Sequence, residues 1–192
     1  MFVYQQRSRT LKLRIPTLLL SLLTLLPTSS LHAQTNTSAY TNLDPKFCKT
    51  LTSSDDEGGS YEGRCPGFGG YKLLVTEGDL RQNITVVTPK GTKHSLDLWS
   101  VVSSAFSSLG PKAEWRTRRV KNKVTPVAMI VRYNASENPE KPEQTTSYLA
   151  VVKITATEIC VTDKVPPGAK ANEDARRLAD ASATKPCLKA TQ

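Results

Sequence analysis

Apolar and polar residues alternate along much of the first half of the chain, a pattern that predicts β-strands. Tyr71, Leu73 and Val75 alternate with polar neighbours, a turn follows at 77–79, and the alternation resumes over 80–86. Two alternating segments on either side of a tight turn predict an antiparallel hairpin. Glycine- and proline-rich turns bound two further predicted strands, at 60–64 and 92–96.

The apolar spacing changes from two to three or four residues after Asp97, which predicts a mid-chain helix over 98–109. Asp97 is placed to cap its start, and Gly110-Pro111 ends it. Serines occupy the polar face and have modest helix propensity, so this helix needs a sheet to pack against. Its apolar face consists of Leu98, Val101, Val102, Ala105, Phe106 and Leu109.

The second half returns to strands and closes with a helix. Segments 126–133 and 148–154 are apolar on both faces, which places them at the centre of a sheet that is covered on both sides. A short strand at 158–162 follows, and Asn172 is placed to cap a C-terminal helix. The inward stripe of that helix is Ala175, Leu178, Ala179 and Ser182. The predicted fold class is α+β, mainly an antiparallel sheet with one mid-chain helix and one C-terminal helix.

The first 33 residues have the three parts of an export signal. A basic stretch precedes an apolar run over 15–26, and Ala33 is a small residue placed for cleavage before Gln34. The apolar run is shorter than the roughly 20 residues that span a bilayer, although an uncleaved anchor is the alternative. We expect a cleaved signal peptide (1–33), a disordered polar leader (34–45) and a single α+β domain (46–192), in a secreted or periplasmic protein.

Removal of the signal lowers the positive charge of the chain. The full 192 residues carry 26 basic and 17 acidic residues, a formal net charge of +9. Four basic residues and no acid lie in 1–33, so the mature chain carries 22 basic and 17 acidic residues, a net charge of about +5. This modest excess, together with export, disfavours nucleic acid as the partner.

An even number of cysteines in an exported chain indicates disulfides. Cys48, Cys65, Cys160 and Cys187 allow three pairings, of which Cys48–Cys65 and Cys160–Cys187 are favoured because each closes a local loop. The chain has no C-x-x-C motif, and His94 is the only histidine after residue 33, so a thiolate metal site is disfavoured. We expect no cofactor.

The segment 112–123 is the strongest local anomaly in charge, because six of its twelve residues are basic and only Glu114 opposes them. We interpret it as a hairpin with its turn near Lys121-Asn122 and with Trp115 facing inward. Its outward residues suit an anionic glycan, lipid or protein surface, or they protect an exposed sheet edge. The candidate anion-binding residues are Arg116, Arg118, Arg119, Lys121 and Lys123, with Arg116 and Arg118 expected on one outward face.

Enzymatic chemistry has few candidates. His94 is expected to be a half-buried structural residue, because it has the same alternation as Leu96 and Leu98. Ser95 next to it points to the opposite face of a strand, so the two cannot form a relay. No G-x-S-x-G motif is present. The candidate carboxylates, in 55–57 and at Glu77 and Asp79, lie in turns where acids are expected for solvation alone.

Three functions remain open. The favoured one is a small, exported, non-enzymatic binding module that contacts an anionic partner through 112–123. The alternatives are a secreted hydrolase that uses carboxylates or His94, and an inhibitor that presents the Cys65–Gly70 loop to the cleft of a secreted enzyme.

Overall fold

Ten strands and two helices build the fold in the computed structural model, which describes residues 1–5, 7, 35–56 and 59–190. Residues 1–33 and 34–192 form separate compact units, and everything below concerns the second. Its strands are β1 (Thr37–Asn42), β2 (Lys49–Ser54), β3 (Ser60–Pro66), β4 (Lys72–Gly78), β5 (Arg81–Val87), β6 (Lys93–Ser95), β7 (Ser107–Val120), β8 (Lys123–Ala135), β9 (Thr146–Ile154) and β10 (Ile159–Val165). The helices are α1 (Leu98–Val101) and α2 (Ala171–Asp180), with single 3-10 turns at Pro45–Phe47 and Ser182–Thr184.

The strands form one sheet in the order β10-β9-β8-β7-β5-β4-β3-β2, with β1 added to β7 and β6 added to β5. Every pairing is antiparallel except a single parallel bridge between Arg81 and Ser107. The sheet folds over on itself, because Leu73 and Ile84 from the β3–β5 meander share one core with Met129 and Val152 from β8 and β9.

The central strands β8 and β9 are apolar on both faces, as their sequence predicts, and each face has its own cover. Val131 and Val152 face the meander, while Ile130 and Val151 face α2. Ala175 and Ala179 of α2 are buried against that second face, and Ser182 just beyond the helix is also fully buried. The α+β class, the mostly antiparallel sheet and the two helices are confirmed.

Both expected disulfides are present. Cys48–Cys65 ties the residue before β2 to β3, with a Cα–Cα distance of 4.1 Å. Cys160–Cys187 ties the segment after α2 to β10, with a Cα–Cα distance of 5.7 Å. This second bridge holds the chain that leaves α2 against the sheet, and the pair indicates a protein of an oxidising environment.

The mid-chain helix is much shorter than the spacing predicts, since it covers only Leu98–Val101. Instead, β7 begins with Ser107, Ser108 and Leu109, which pair with β8. Serine has a weak helix propensity, so pairing with a neighbouring strand is favoured over extending the helix in this segment. Asp97 precedes the helix but does not cap it. Its carboxylate accepts a hydrogen bond from Ser95 Oγ at 2.6 Å.

The expectation of a disordered leader over 34–45 is wrong for the residues that form β1. This strand pairs with β7 from Thr37↔Thr117 to Asn42↔Lys112, because the outer edge of β7 would otherwise be left unpaired. Trp115 Nε1 donates to Thr41 Oγ1 at 2.9 Å, which anchors the strand to the core. The polar composition of this segment therefore gives no sign in the sequence that it forms a strand, because its partner strand lies far along the chain.

The predicted signal peptide falls almost wholly on residues that the structure does not describe. Of residues 1–33, only 1–5 and 7 are described. Within the described part of the chain, no helix is long and apolar enough to cross a membrane.

The turn between β4 and β5 places two non-glycine residues in the left-handed region. Asp79 has φ 49° and Leu80 has φ 56°. Aspartate tolerates this conformation, but leucine has no local polar contact to offset a cost of about 1 kcal/mol. Leu80 is also 54% exposed, so its side chain gains little from burial.

We therefore expect Leu80→Gly to raise the free energy of unfolding by about 0.5 to 1 kcal/mol, since glycine adopts positive φ without strain. The matched control is Val120→Gly, because Val120 is equally exposed at 54% but has an ordinary strand conformation. That control should lose stability. Urea unfolding midpoints measure both changes, and a loss of stability in Leu80→Gly comparable to the control would contradict the assignment of strain.

Candidate functional site

The β7–β8 hairpin extends beyond both of its neighbouring strands. β1 pairs with β7 only as far as Thr117, and β9 pairs with β8 only from Ala128 onward. Residues 118–125 pair across the hairpin, Arg118 with Thr125 and Val120 with Lys123, and they form no ladder with another described strand. We call residues 118–125 the hairpin tip. The predicted hairpin and its turn at Lys121-Asn122 are confirmed.

The hairpin tip is cationic. It contains Arg118, Arg119, Lys121 and Lys123 and no acidic residue. All residues from 119 to 123 are exposed, and Val120 presents an apolar side chain among the charges. Because this two-stranded ribbon protrudes, its cations can contact the surface of a binding partner without contact from the rest of the protein.

Arg116 does not belong to that outward set, because it is only 7% exposed. Its Nε and Nη2 donate to the two carboxylate oxygens of Asp180 in α2, each at 2.8 Å, in the bidentate geometry that makes such pairs strong. Nη2 also donates to the carbonyl of Asn36 at 3.0 Å. The expectation that Arg116 faces outward is wrong, because α2 and the residues of β1 cover this face of β7.

Arg118 shares the face of Arg116, as the two-residue spacing predicts, and it is half-buried. Its Nε donates to Asn36 Oδ1 at 3.0 Å, and Asn36 Nδ2 donates in turn to Asp180 Oδ1 at 2.9 Å. The covered face therefore holds one end of the basic segment in a network. Arg119, Lys121 and Lys123 remain the exposed cations of the predicted site.

A second ion pair joins α2 to β7 beside the first. Arg176 Nε donates to Glu114 Oε1 at 2.7 Å, and Ser38 Oγ donates to the same oxygen at 2.6 Å. Burial raises the pKa of Glu114, but the hydrogen bonds from Arg176 and Ser38 outweigh it and hold the pKa below its usual value. Burial likewise raises the pKa of Asp180, and hydrogen bonds from Arg116 and Asn36 lower it further than burial raises it.

We expect this network to make stability depend on acid pH. A carboxyl group whose pKa is lower in the folded state contributes stability that is fully present above its unfolded pKa, near about 4, and lost as pH falls through the folded pKa. Asp180→Asn should cost about 1 to 2 kcal/mol at neutral pH, since it leaves the Arg116 charge buried with weaker partners while Asp180 itself is partly solvated.

Denaturant unfolding at pH 7 and pH 3 measures this loss. Glu173→Gln is the control, because Glu173 is an exposed acid in the first turn of the same helix. The difference in stability between the variant and the wild type should narrow between pH 7 and pH 3, as Asp180 begins to be protonated. A difference that persists undiminished at pH 3 would show that the ion pair is not its source.

His94 does not join a catalytic relay in the structure. It lies half-buried in β6 opposite Val86 and lines a pocket with Tyr71 and Thr155. Ser95 is engaged elsewhere, because it accepts from Asn83 Nδ2 at 3.0 Å and donates to Asp97. Ser95 and Asp97 therefore pair with each other and not with His94, and the half-buried position expected for His94 is found.

Asp56 and Asp79 lie in solvated turns as expected, but the expectation is wrong for Glu77, which lies half-buried in β4 and pairs with Gln82 of β5. Asp56 accepts from Ser54 Oγ at 2.6 Å, and Glu57 lies outside the described residues. Glu77 accepts from Gln82 Nε2 at 2.5 Å, while Asp79 pairs with Arg81 and its side chain is 81% exposed. A catalytic acid at neutral pH needs a carboxyl group shielded from water, and Asp79 lacks that shielding.

One group of metal-ligand residue types comes together in the described part of the chain. Glu158, Cys160 and Cys187 lie within 4.8 Å of one another. Both sulfurs are consumed in the disulfide, so neither is available as the thiolate that a metal would need.

The Cys65–Gly70 loop is packed onto the body rather than presented. Phe68 packs against the main core. Gly69 lies so close to Pro126 that an added Cβ would come within 2.9 Å of the ring. An inhibitory loop needs a free apex for an enzyme cleft, and this loop turns its one large side chain inward.

Comparison with known proteins adds no relative: no family model, no curated protein and no solved structure matches the chain.

Proposed function

We propose that the chain is exported, that residues 1–33 are a cleaved signal peptide, and that the mature protein is a non-enzymatic binding module. Its hairpin tip contacts an anionic partner, a glycan, lipid or protein surface. The observation that carries this proposal is the projection of the hairpin tip beyond both neighbouring strands, with three exposed basic residues, Arg119, Lys121 and Lys123, and no acidic residue within 118–125.

Export is supported by sequence and chemistry together. The basic stretch, the short apolar run and Ala33 have the order of a cleavable signal. The two disulfides persist in an oxidising compartment, whether outside the cell or in a periplasm.

Coulomb attraction supports anion binding at the tip. Opposite charges in water attract by about 1 kcal/mol at 4 Å, so several must act together, and salt at physiological strength screens this attraction over about 8 Å. Arg119 and Lys123 lie on opposite faces of the short ribbon and Lys121 lies at its turn, so a polyanion at the end of the hairpin can contact all three cations. Binding of this kind depends steeply on salt.

The hydrolase alternative has less support. Glu77 and Asp79 line the same open groove, but both carboxylates already have partners and Asp79 is largely in solvent. The inhibitor alternative needs a projecting loop, and the Cys65–Gly70 loop is docked.

The test is a charge-matched pair of triple variants. Arg119→Gln, Lys121→Gln and Lys123→Gln together should abolish retention of the mature protein on a sulfated polysaccharide matrix at low salt. The control removes three exposed lysines elsewhere, Lys49→Gln, Lys93→Gln and Lys141→Gln, and keeps the same net charge. The control variant should retain most of the binding, since we expect retention to depend on the cations of the hairpin tip and not on the net charge of the protein.

Equal loss of retention in the two triple variants would refute a localised site and leave only a nonspecific net-charge effect. Unchanged retention in the tip variant, with self-association by light scattering, would show instead that these cations protect a sheet edge.

A further inference from the structure

An open groove lies beside the β4–β5 turn, on residues that take no part in the hairpin tip. Its volume is about 700 Å³. It is bounded on one side by β4, β5 and their turn, and on the other by α1 and the segment before β7. The side chains that matter for its chemistry are Glu77, Asp79, Arg81, Asn83, Trp99 and Ser104.

Trp99 supplies an aromatic surface at this groove. Its side chain is 50% exposed, whereas the other tryptophan, Trp115, is fully buried in the core. Its backbone is well fixed, because Leu98 next to it is fully buried and Leu98 N donates to Asn83 Oδ1 at 3.1 Å. The residue is therefore held at the groove by its backbone, while half of its surface stays exposed to solvent and available for contact.

Arg81 is held in place before any ligand arrives. Its Nε donates to the carbonyl of Ser104 at 2.9 Å, and Nη1 contacts both the carbonyl and the carboxylate of Asp79. The guanidinium also lies over Phe106, with Cζ 4.9 Å from the ring centroid. A side chain fixed in this way loses little entropy on binding, which favours affinity for a ligand that matches its geometry.

The turn beside the groove holds one strained position, because Leu80 has positive φ, a conformation that is costly for leucine. Such costly positions occur more often at functional sites than elsewhere, which agrees with a site here.

The composition of the groove selects among ligand classes. The cores of protein–protein interfaces are depleted of charge, whereas this groove combines an aromatic ring and apolar surface with several charged and polar side chains. A sugar ring fits, because it has an apolar C–H face that can stack on an aromatic π-face and a rim of hydroxyls that pair with carboxylate, guanidinium and hydroxyl groups.

The charges of the groove restrict which sugars can bind there. Glu77 and Asp79 oppose the single Arg81, which is already paired with Asp79. The groove therefore repels acidic sugars and accepts neutral or aminated ones.

We propose that this groove is a binding site for a non-acidic oligosaccharide, whose ring stacks on Trp99 and whose hydroxyls bond to Asp79, Arg81 and Ser104. The site is independent of the anion-binding tip, and either can exist without the other.

The two tryptophans give a direct test by fluorescence. Acrylamide should quench Trp99 and spare buried Trp115. Cellotetraose, N-acetylchitotetraose and chitosan tetramer are the probes, and trigalacturonate is the acidic counter-probe. We expect at least one neutral or aminated probe to protect the quenchable tryptophan and trigalacturonate to have no effect.

Variants then locate the site by isothermal titration with the probe that binds. Trp99→Ala should weaken binding about tenfold or more, the loss of one stacked ring. Phe47→Ala is the matched control, because Phe47 is an aromatic that is 51% exposed outside the groove, and it should bind as the wild type does. Asp79→Asn should weaken binding several-fold. The fold should stay intact, because asparagine also tolerates the positive φ of this position.

Three results would overturn the proposal. They are the absence of protection by every neutral and aminated probe, protection by trigalacturonate alone, and affinity in Trp99→Ala equal to that of the wild type.

Discussion

The fold depends on one constraint: the central strands β8 and β9 must bury apolar side chains on both faces. One face is covered by the β3–β5 meander and the other by α2. The Cys160–Cys187 bridge holds the segment that follows α2 against β10. The helix itself covers Ile130 and Val151, which would be exposed if it left the sheet. The position of α2 then decides which charges of β7 are covered.

That cover divides the basic segment into two parts with different roles. Where α2 overlies β7, Arg116 and Glu114 are matched by Asp180 and Arg176, so charge serves to dock the helix. Beyond Arg118, the β7–β8 hairpin carries the exposed cations Arg119, Lys121 and Lys123, and the hairpin tip contains no acidic residue. A run of like charges in sequence thus becomes a structural network at one end and a candidate binding surface at the other.

The sequence predicts elements whose signal is local and misses those that depend on distant partners. Alternation and turn residues suffice for the β4–β5 and β7–β8 hairpins, and apolar runs identify the covered strands β8 and β9. The helical spacing after Asp97 is misleading, because β7 begins inside it and gains its hydrogen bonds from β8. Strand β1 has no apolar pattern, and the burial of Arg116 depends on Asp180, 64 residues away. Trp99 and Arg81 form a groove that no motif marks.

The central claim is that anions bind at the hairpin tip and not along the whole basic segment. A titration of the ¹⁵N-labelled mature protein with a sulfated oligosaccharide tests it residue by residue. The account predicts amide shifts concentrated in 119–123 that vanish at high salt, with the Arg116 side-chain Nε signal unmoved. Shifts centred on Arg116, or spread evenly over exposed lysines such as Lys49 and Lys141, would contradict it.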